Sequence, residues 1–245
     1  MSHLILGASG GLGRALCYRF AADRQDLVIV ASDPRDLRAL KSDLEIRFRI
    51  QVRVVEADVS GSPEYIHRLK AAVGELGPLR GLLFPIGAMA SEDAGGLDHE
   101  SAERLVRVNF LSVVDTVAAF LSAFRSGGGG GTIVGFGSIA GARGRGANMV
   151  YSASKRALES YFESLRHLCA RTGPIVQFYV VGYLDTTLAA GRTKLFPKAS
   201  PVRLADRVAR NLDRDIGSVH YPWYWRPVCF VLRSMPWVLY KRMRF

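Results

Sequence analysis

The sequence predicts an α/β fold: one doubly wound parallel sheet with helices on both faces. Short apolar runs recur along the 245 residues, and a helical pattern follows each of them. This alternation implies parallel strands covered by helices, and right-handed crossovers then give the doubly wound order. A chain of this length can bury an ample core, so we expect a single domain over residues 1–245. The predicted strands are 3–6, 27–31, 52–57, 81–86, 132–136 and 175–181.

A glycine-rich turn joins the first predicted strand to the first predicted helix, whose apolar face begins at Leu12. In this turn Gly7 permits a tight bend, Gly11 lets the backbone approach a pyrophosphate, and Gly13 lets the helix pack against the strand. The turn therefore predicts a dinucleotide site in a Rossmann-type fold. We expect the site to contain Gly7, Ser9, Gly10, Gly11, Leu12 and Gly13.

Ser138, Tyr151 and Lys155 have the spacing of an acid–base site. An apolar run ends at Ser138, a loop rich in glycine and arginine follows, and Tyr151 and Lys155 lie one helical turn apart. Side chains at positions i and i+4 share a helix face. A cation about 5 Å from a phenol, at an effective dielectric constant of about 20, favours the phenolate by roughly 3 kcal/mol. The pair therefore predicts general acid–base transfer near neutral pH, with the serine hydroxyl holding a carbonyl or alcohol oxygen.

Together these motifs resemble the short-chain dehydrogenase/reductase family, over almost the whole chain. The resemblance implies an NAD(P)-dependent oxidoreductase in which Tyr151 is the general acid and Ser138 positions the substrate oxygen. Lys155 would assist the tyrosine and bind the nicotinamide ribose, and Asn109 would hold a water in a proton relay. The resemblance also implies a homo-oligomer, a dimer or tetramer built on the helices that carry Asn109 and Tyr151.

Further cofactor contacts follow from the same resemblance. Asp58 and Val59 come after the third predicted strand and match the pair that lies at the adenine. Leu184 and Thr186 match the strand end whose backbone and threonine meet the nicotinamide carboxamide. Gly87 follows the fourth predicted strand and completes the expected cofactor contacts on that side.

Two segments depart from the family pattern. Residues 84–87 read Phe-Pro-Ile-Gly where the family has Asn-Asn-Ala-Gly, and Val181 stands in place of a proline. The first departure removes the side chains whose hydrogen bonds normally brace the central sheet. Neither departure removes a catalytic group.

The choice between NADP(H) and NAD(H) depends on the residues just after the second predicted strand. An acidic residue there favours a free ribose 2′-hydroxyl, and a nearby arginine favours a 2′-phosphate. Ala31 holds the usual acidic position and Ser32 the usual arginine position, with Asp33 and Arg35 just beyond. We predict a preference for NADP(H), with NAD(H) as the alternative, because Ala31 is not acidic and Ser32 can donate to a phosphate.

The C-terminal segment 218–245 differs in composition from the rest of the chain. It holds no acidic residue and all three tryptophans, and it contributes +5 through Arg226, Arg233, Lys241, Arg242 and Arg244 to a net charge of +11. Cations with interfacial aromatic residues, interrupted by Pro227 and Pro236, are typical of an element that lies in a lipid headgroup layer. We therefore predict peripheral membrane contact through 218–245. The alternative is that these aromatic residues close the substrate pocket or form a subunit contact.

Within the family, the run 141–151 and the C-terminal segment resemble the decaprenylphosphoryl-2-keto-ribose reductase group. This resemblance implies that a lipid-linked keto-sugar is reduced at the membrane surface. Arg143 and Arg145, which follow the catalytic serine, would then meet the lipid phosphate by bidentate pairing. The alternative is that both are solvated loop arginines.

Two other functions stay open. A soluble reductase of a small ketone or alcohol would keep every motif. A non-catalytic dinucleotide sensor would keep the glycine turn but has no need of the tetrad formed by Asn109, Ser138, Tyr151 and Lys155. No nucleic-acid recognition motif accompanies the basic charge, and the cysteines and histidines show no metal-ligand spacing. No apolar run approaches the roughly 20 residues of a membrane span. Three separated cysteines and a first strand close to Met1 predict a cytoplasmic protein, peripheral on the inner membrane face if the tail binds there.

Overall fold

Seven parallel strands form one sheet in the computed structural model. They are β1 (Ser2–Leu6), β2 (Asp26–Ala31), β3 (Val52–Glu56), β4 (Leu79–Phe84), β5 (Thr132–Ser138), β6 (Ile175–Val181) and β7 (Ser218–Tyr221). Their order is β3-β2-β1-β4-β5-β6-β7, which confirms the doubly wound α/β fold and all six predicted strands. The structure describes residues 1–126, 130–186 and 196–243, so Arg244 and Phe245 of the predicted tail lie outside the described residues.

The strand order reverses between β1 and β4. β1 pairs with β2 on one side and with β4 on the other, and the chain winds outward from this pair in both directions. In open α/β sheets, ligands bind outside the carboxyl ends of the strands at such a reversal. A ligand site is therefore expected where β1 and β4 end, beyond Leu6 and Phe84.

Helices cover both faces of the sheet. They are α1 (Gly11–Ala22), α2 (Pro34–Phe48), α3 (Tyr65–Leu76), α4 (His99–Val106), α5 (Ser112–Ser126), α6 (Met149–Cys169), α7 (Pro201–Asn211), α8 (Trp225–Ser234) and α9 (Trp237–Tyr240). On one face α3 and α6 bury Leu69 and Phe162 against the strands, and on the other α1 and α7 bury Leu16 and Leu204. The central strands are apolar almost throughout because each lies between two helical layers.

One helical stretch, His99–Arg125, has the length and composition of a membrane span. It comprises α4, a π-helical turn (Arg107–Leu111) and α5, and its most apolar window has a mean hydropathy of 1.5. This finding corrects the expectation that no apolar run approaches such a length. Val113 and Val117 are nevertheless fully buried in the core against the sheet, so the apolar side chains of α5 have partners within the fold.

The C-terminal segment is built into the sheet. Its first residues form β7, which pairs with β6 at the edge. No apolar run predicts this strand, because Ser218–Tyr221 is short and only half-buried. Pro236 separates α8 from α9, which confirms the predicted break there. The break expected at Pro227 was wrong: this proline lies in the first turn of α8, where its missing N–H removes no helical hydrogen bond.

Candidate active site

The glycine-rich turn lies at the end of β1, where the strand order reverses. Gly7 has a φ of 98°, and a β-carbon there would lie 2.8 Å from the Cα of Ile86. A β-carbon on Gly13 would lie 2.0 Å from the Gly7 carbonyl oxygen, so the start of α1 packs directly on the turn. Gly10 precedes α1 without a capping side chain, and the first turn holds no acidic residue. The positive end of the helix dipole is therefore available to an anion at the reversal point.

A cleft of about 250 Å³ opens at the carboxyl ends of β1 to β4; we call it the switch-point cleft. The predicted cofactor residues that line it are Gly7, Ser9, Gly10, Ser32, Asp58, Val59 and Gly87. Its lining also includes Ala31 and Arg104. The predicted residues outside this lining are Gly11, Leu12, Gly13, Asp33, Tyr151, Lys155, Leu184 and Thr186.

Two carboxylates near the cleft have partners within the chain. Asp58 accepts hydrogen bonds from the Ser60 hydroxyl at 2.6 Å and the Ser60 N–H at 3.0 Å, which lower the pKa of the Asp58 carboxyl. Asp58 also lies 3.7 Å from the Arg104 guanidinium. Asp33 caps α2 by accepting from the Arg35 N–H at 2.9 Å and pairs with the Arg35 guanidinium at 3.5 Å. The Asp33 carboxylate is thus engaged at the start of α2 and is not part of the cleft lining.

Thr186 lies beside the start of α1. A β-carbon on Gly11 would lie 2.6 Å from Thr186 Cγ2, so the threonine methyl occupies the space in front of this glycine. Leu184 is buried and forms an isolated parallel bridge with Ala199. Thr186 is therefore a neighbour of the glycine turn, and a larger side chain at Gly11 would displace it. The contact of Gly11 with a pyrophosphate stays a prediction.

Ser138 lies at the end of β5, and Tyr151 lies at the start of the next α-helix, α6. Ser138 ends β5, and its Oγ accepts a hydrogen bond at 3.1 Å from the N–H of Ala140, in a short 3-10 helix (Ile139–Ala142). A hydroxyl that accepts from a backbone N–H still has its own proton to donate. Tyr151 lies in the first turn of α6 and is 7% exposed. The serine can therefore donate to a substrate oxygen, while the fold keeps the phenol largely out of bulk water.

Lys155 lies one turn after Tyr151 on α6 and is 5% exposed. Its Nζ donates to the Ile86 carbonyl oxygen at 3.1 Å and to the Phe136 carbonyl oxygen at 3.4 Å. Burial lowers the pKa of Lys155 from 10.5 to about 8, because the ammonium loses solvation in this site. Two carbonyl dipoles replace part of the lost water. The lysine is therefore a cation at neutral pH, held near the carboxyl ends of β4 and β5.

Asn109 lies in the π-helical turn between α4 and α5 and is fully buried. Its Oδ1 accepts from the Ala88 N–H and its Nδ2 donates to the Ala88 carbonyl, both at 3.0 Å. A β-carbon on Gly87 would lie 3.4 Å from both Asn109 Oδ1 and Lys155 Nζ, so the two side chains meet at this glycine. Asn109 and Lys155 therefore brace the segment that lacks the usual asparagines. The water relay through Asn109 stays a prediction.

Arg143 contacts the C-terminal helices. Its Nη1 donates to the Leu232 carbonyl at 2.7 Å and to the Met235 carbonyl, and its guanidinium lies 4.1 Å from the ring centre of Tyr240. The Tyr240 hydroxyl in turn donates to the Gly144 carbonyl at 2.7 Å. Arg143 is thus not a solvated loop residue, and part of its guanidinium is already engaged within the chain. Its contact with a substrate phosphate, through the remaining N–H groups, stays a prediction.

A second cavity, of about 820 Å³, lies between the 141–146 loop, α6 and α9; we call it the basic cavity. Arg145 and Lys241 line it together with the apolar side chains of Met149 and Trp237. Among the described residues, its lining holds no carboxylate. The Nε of Arg145 is buried without a hydrogen-bond partner in the described part of the chain. The lining of the cavity therefore combines cations with apolar side chains.

Comparison with known proteins identifies the family of this site. The short chain dehydrogenase family model matches residues 2–194. The chain belongs to the short-chain dehydrogenase/reductase family. It is 30% identical over 244 residues to a hydroxysteroid 11-beta-dehydrogenase 1-like protein of Gallus gallus, covering 96% of this chain and 84% of that one. An uncharacterized oxidoreductase of Mycobacterium tuberculosis is 26% identical over 240 residues, covering 98% and 96% of the two chains.

A solved structure extends the comparison to the whole chain. The short-chain dehydrogenase from Sphingobium yanoikuyae in complex with NADPH matches this fold with a TM-score of 0.84 and 25% identity, over 100% of this chain and 96% of that one. As a short-chain dehydrogenase/reductase, the protein is an NAD(P)-dependent oxidoreductase. Its own residues fit a dinucleotide. At Gly7 and Gly13 a β-carbon would clash with neighbouring backbone, so only glycine permits this tight turn. Gly10 has no side chain to cap α1, so the N–H groups at the start of the helix can face a phosphate.

Two charged residues of this short-chain dehydrogenase/reductase site, Arg104 and Asp93, were not predicted. Arg104 of α4 lines the switch-point cleft, and Asp93 accepts hydrogen bonds from the start of α6. No local pattern marks either one, since an arginine on a charged helix and an aspartate in a polar loop are both typical of solvated surface. Only the tertiary contacts show their positions.

Proposed function

We propose that this short-chain dehydrogenase/reductase reduces a carbonyl group to an alcohol. The observation that carries the proposal is the burial of Tyr151 and Lys155 one helical turn apart, on the helix that follows Ser138 and the end of β5. A buried ammonium stabilises the phenolate that forms when the tyrosine gives up its proton. A bound nicotinamide supplies hydride, and the residues of the chain supply the proton and hold the oxygen.

Each member of the tetrad has one task in this proposal. Ser138 donates a hydrogen bond to the carbonyl oxygen and holds it beside Tyr151. Tyr151 transfers its phenolic proton to that oxygen, so that the C=O group becomes CH–OH. Lys155 stabilises the phenolate, and Asn109 anchors the water path that returns a proton. A dinucleotide sensor would need none of these buried polar groups, which favours the enzyme over the sensor.

We propose NADP(H) as the preferred cofactor, with NAD(H) as the alternative. At the end of β2 the switch-point cleft is lined by Ala31 and Ser32, and neither carries a negative charge. Asp33, the nearest carboxylate beyond β2, is engaged in capping α2 and in its pair with Arg35. A 2′-phosphate at this position would therefore meet the Ser32 hydroxyl as a donor.

We further propose that the substrate is a lipid-linked keto-sugar, as in the decaprenylphosphoryl-2-keto-ribose reductases that the sequence resembles. The basic cavity supports this substrate class, because a phosphate suits Arg145 and Lys241 while a polyprenyl chain suits Met149 and Trp237. The enzyme would then work in the cytoplasm at the inner membrane face, in contact with lipid through 218–245.

We also propose a dimer or tetramer, as the family resemblance implies. It would be built on the π-helical turn that carries Asn109, with the adjoining α5, and on α6, which carries Tyr151.

The tyrosine variant tests the reaction. Tyr151→Phe should fold and bind NADPH normally, because the aromatic ring is retained, yet turnover should fall by about 10²–10⁴-fold, the usual contribution of a general acid, because the hydroxyl is removed. NADPH oxidation against simple ketones and a lipid-linked keto-sugar measures the loss, and titration with NADPH and NADH measures cofactor preference. Near-wild-type turnover in the variant would refute the assignment, and tighter binding of NADH would refute the cofactor preference.

An arginine variant in the same assays tests the substrate class. Arg145→Gln should raise KM for the lipid-linked keto-sugar by about tenfold or more, because a charged hydrogen bond to phosphate is lost, and should leave a small soluble ketone unaffected. Arg166→Gln is the charge-matched control, since Arg166 lies far along α6 and pairs with Asp215 at 3.2 Å. Equal KM changes for both substrates, or turnover of soluble ketones alone, would favour the soluble reductase.

A further inference from the structure

The start of α6 has an unusual cap. The four N–H groups at the start of a helix have no partner within it and need acceptors elsewhere. Asn148 precedes α6 in the left-handed region, with φ 57° and ψ 52°, and its side chain makes no capping hydrogen bond to the helix. The Ser152 N–H makes the first regular helical hydrogen bond, to the Asn148 carbonyl at 2.8 Å, so the N–H groups of Met149, Val150 and Tyr151 need acceptors outside the helix.

Asp93 accepts the hydrogen bonds of these three N–H groups. Its backbone carbonyl accepts from the Met149 N–H at 3.1 Å, its Oδ1 from the Val150 N–H at 2.8 Å and its Oδ2 from the Tyr151 N–H at 2.8 Å. The residue is 2% exposed. Burial of a carboxylate is costly unless its charge is compensated, and here the N–H groups and the helix dipole provide the compensation. A residue 58 positions away in sequence thus fixes the backbone of the tyrosine itself.

The loop that carries Asp93 is also attached to the other members of the tetrad. Lys155 donates to the Ile86 carbonyl, and Asn109 makes two hydrogen bonds to Ala88. Gly87 and Ala88 line the switch-point cleft. The segment 86–93 therefore touches the cofactor cleft, the lysine and the asparagine at one end and the tyrosine backbone at the other.

We infer that Asp93 is a positioning residue, which sets the location of Tyr151 relative to the switch-point cleft by capping α6 from the 86–93 segment. The inference rests on the proposed carbonyl reduction for its kinetic consequence. An error of about 1 Å in the placement of a reacting group lowers turnover by about 100-fold, whereas ground-state binding elsewhere in the site is unaffected. Loss of the cap should therefore lower kcat and leave NADPH affinity unchanged.

Asp93→Asn gives the most direct test. It keeps the size of the side chain but replaces one of the two acceptor oxygens by an NH2 group, which can only donate. We expect kcat to fall by about tenfold or more, while KM and the NADPH Kd stay within about twofold. Hydrogen exchange of the 149–152 amides should become faster, because the Tyr151 or Val150 N–H loses its partner. Asp93→Ser, which keeps one hydroxyl acceptor in a smaller side chain, should act in the same direction and serves if Asp93→Asn does not fold.

Asp98→Asn is the matched control. Asp98 caps α4 with a single hydrogen bond from the Ser101 N–H at 2.7 Å, and asparagine caps a helix as well as aspartate does. The control should keep both kcat and the exchange of the 149–152 amides. An unchanged kcat in Asp93→Asn despite faster exchange would overturn the positioning role, and so would unchanged exchange. A wild-type enzyme that turns over no carbonyl substrate would refute the proposed function instead, while the exchange data would still decide whether Asp93 holds the start of α6.

Discussion

Lys155 shows how a single buried charge affects both stability and catalysis. Burial lowers its pKa from 10.5 to about 8. Below pH 8 the lysine is protonated in both folded and unfolded chains, and the native state bears the full cost of the buried ammonium. Between pH 8 and pH 10.5 the unfolded chain binds more protons, so stability rises with pH over this window. Over this window the free energy of unfolding rises by a total on the order of 3 kcal/mol for a pKa shift of this size.

Replacing this lysine should separate stability from activity. Lys155→Met should raise the free energy of unfolding at pH 7 by about 1–3 kcal/mol, because the buried charge is removed while the Ile86 carbonyl loses a partner. Turnover should be lost, because no cation remains beside the phenol. Urea unfolding of both proteins at several pH values measures the effect, and the advantage of the variant should shrink as pH rises from 8 to 10.5. A variant less stable than wild type at pH 7 would contradict this account.

At the scale of elements, the sequence predicted what repeats locally and missed what depends on distant contacts. The six longer strands were predictable because apolar runs followed by helical patterns mark buried parallel strands. β7 was missed because an edge strand of this length has no apolar run. The placement of Ser138 at a strand end, with Tyr151 and Lys155 one turn apart on the next α-helix, was predictable from spacing. The contacts of Asp93 were not, since its partners lie 57 and 58 residues away. Arg143 was predicted to face a ligand, yet its contacts lie in the C-terminal helices.

The junction of β1 and α1 gives a test at this scale. Gly13→Ala would bring a β-carbon against the Gly7 carbonyl, a backbone atom that cannot move without distorting the turn. We expect a loss of about 1–3 kcal/mol or more in the free energy of unfolding, together with weaker NADPH binding. Gly74→Ala is the control, because nothing lies within 4 Å of a β-carbon there, inside α3. The control should be more stable by up to about 1 kcal/mol. A Gly13→Ala protein as stable as wild type would contradict the packing described for the turn.

At the scale of the whole molecule, the C-terminal segment both contacts residues 142–144, between Ser138 and Tyr151, and exposes apolar side chains. Arg233 pairs with Glu159 of α6 at 2.7 Å and donates to the Ala142 carbonyl at 3.3 Å, and Cys229 and Tyr240 are buried. Truncation of this segment would therefore disturb the residues between Ser138 and Tyr151 as well as the surface. Substitutions confined to exposed side chains are needed to separate membrane contact from pocket closure.

Exposed aromatic side chains at and just before α8 offer such substitutions. Trp223 and Phe230 are 74% and 71% exposed, neither lines the basic cavity, and Arg226 and Arg242 belong to the same segment. On a membrane these aromatic rings would enter the headgroup layer while the cations meet anionic lipid, at about 1 kcal/mol for each nearby cation. Trp223→Ser and Phe230→Ser should each weaken binding to anionic liposomes by roughly fivefold, for about 1 kcal/mol of lost apolar contact.

Flotation with anionic and neutral liposomes at low and high salt measures this binding. Ile46→Ser is the matched control, because Ile46 is 79% exposed on α2, outside the C-terminal segment, and should leave binding unchanged. Binding should weaken with salt, since the attraction between cations and lipid is screened over about 10 Å at 0.1 M ionic strength. If the segment only closes the substrate pocket or a subunit contact, the two aromatic variants should lose turnover or change oligomeric state without any change in flotation. A wild-type protein that stays in solution with anionic liposomes at low salt would rule out the membrane contact, because the attraction is strongest under that condition.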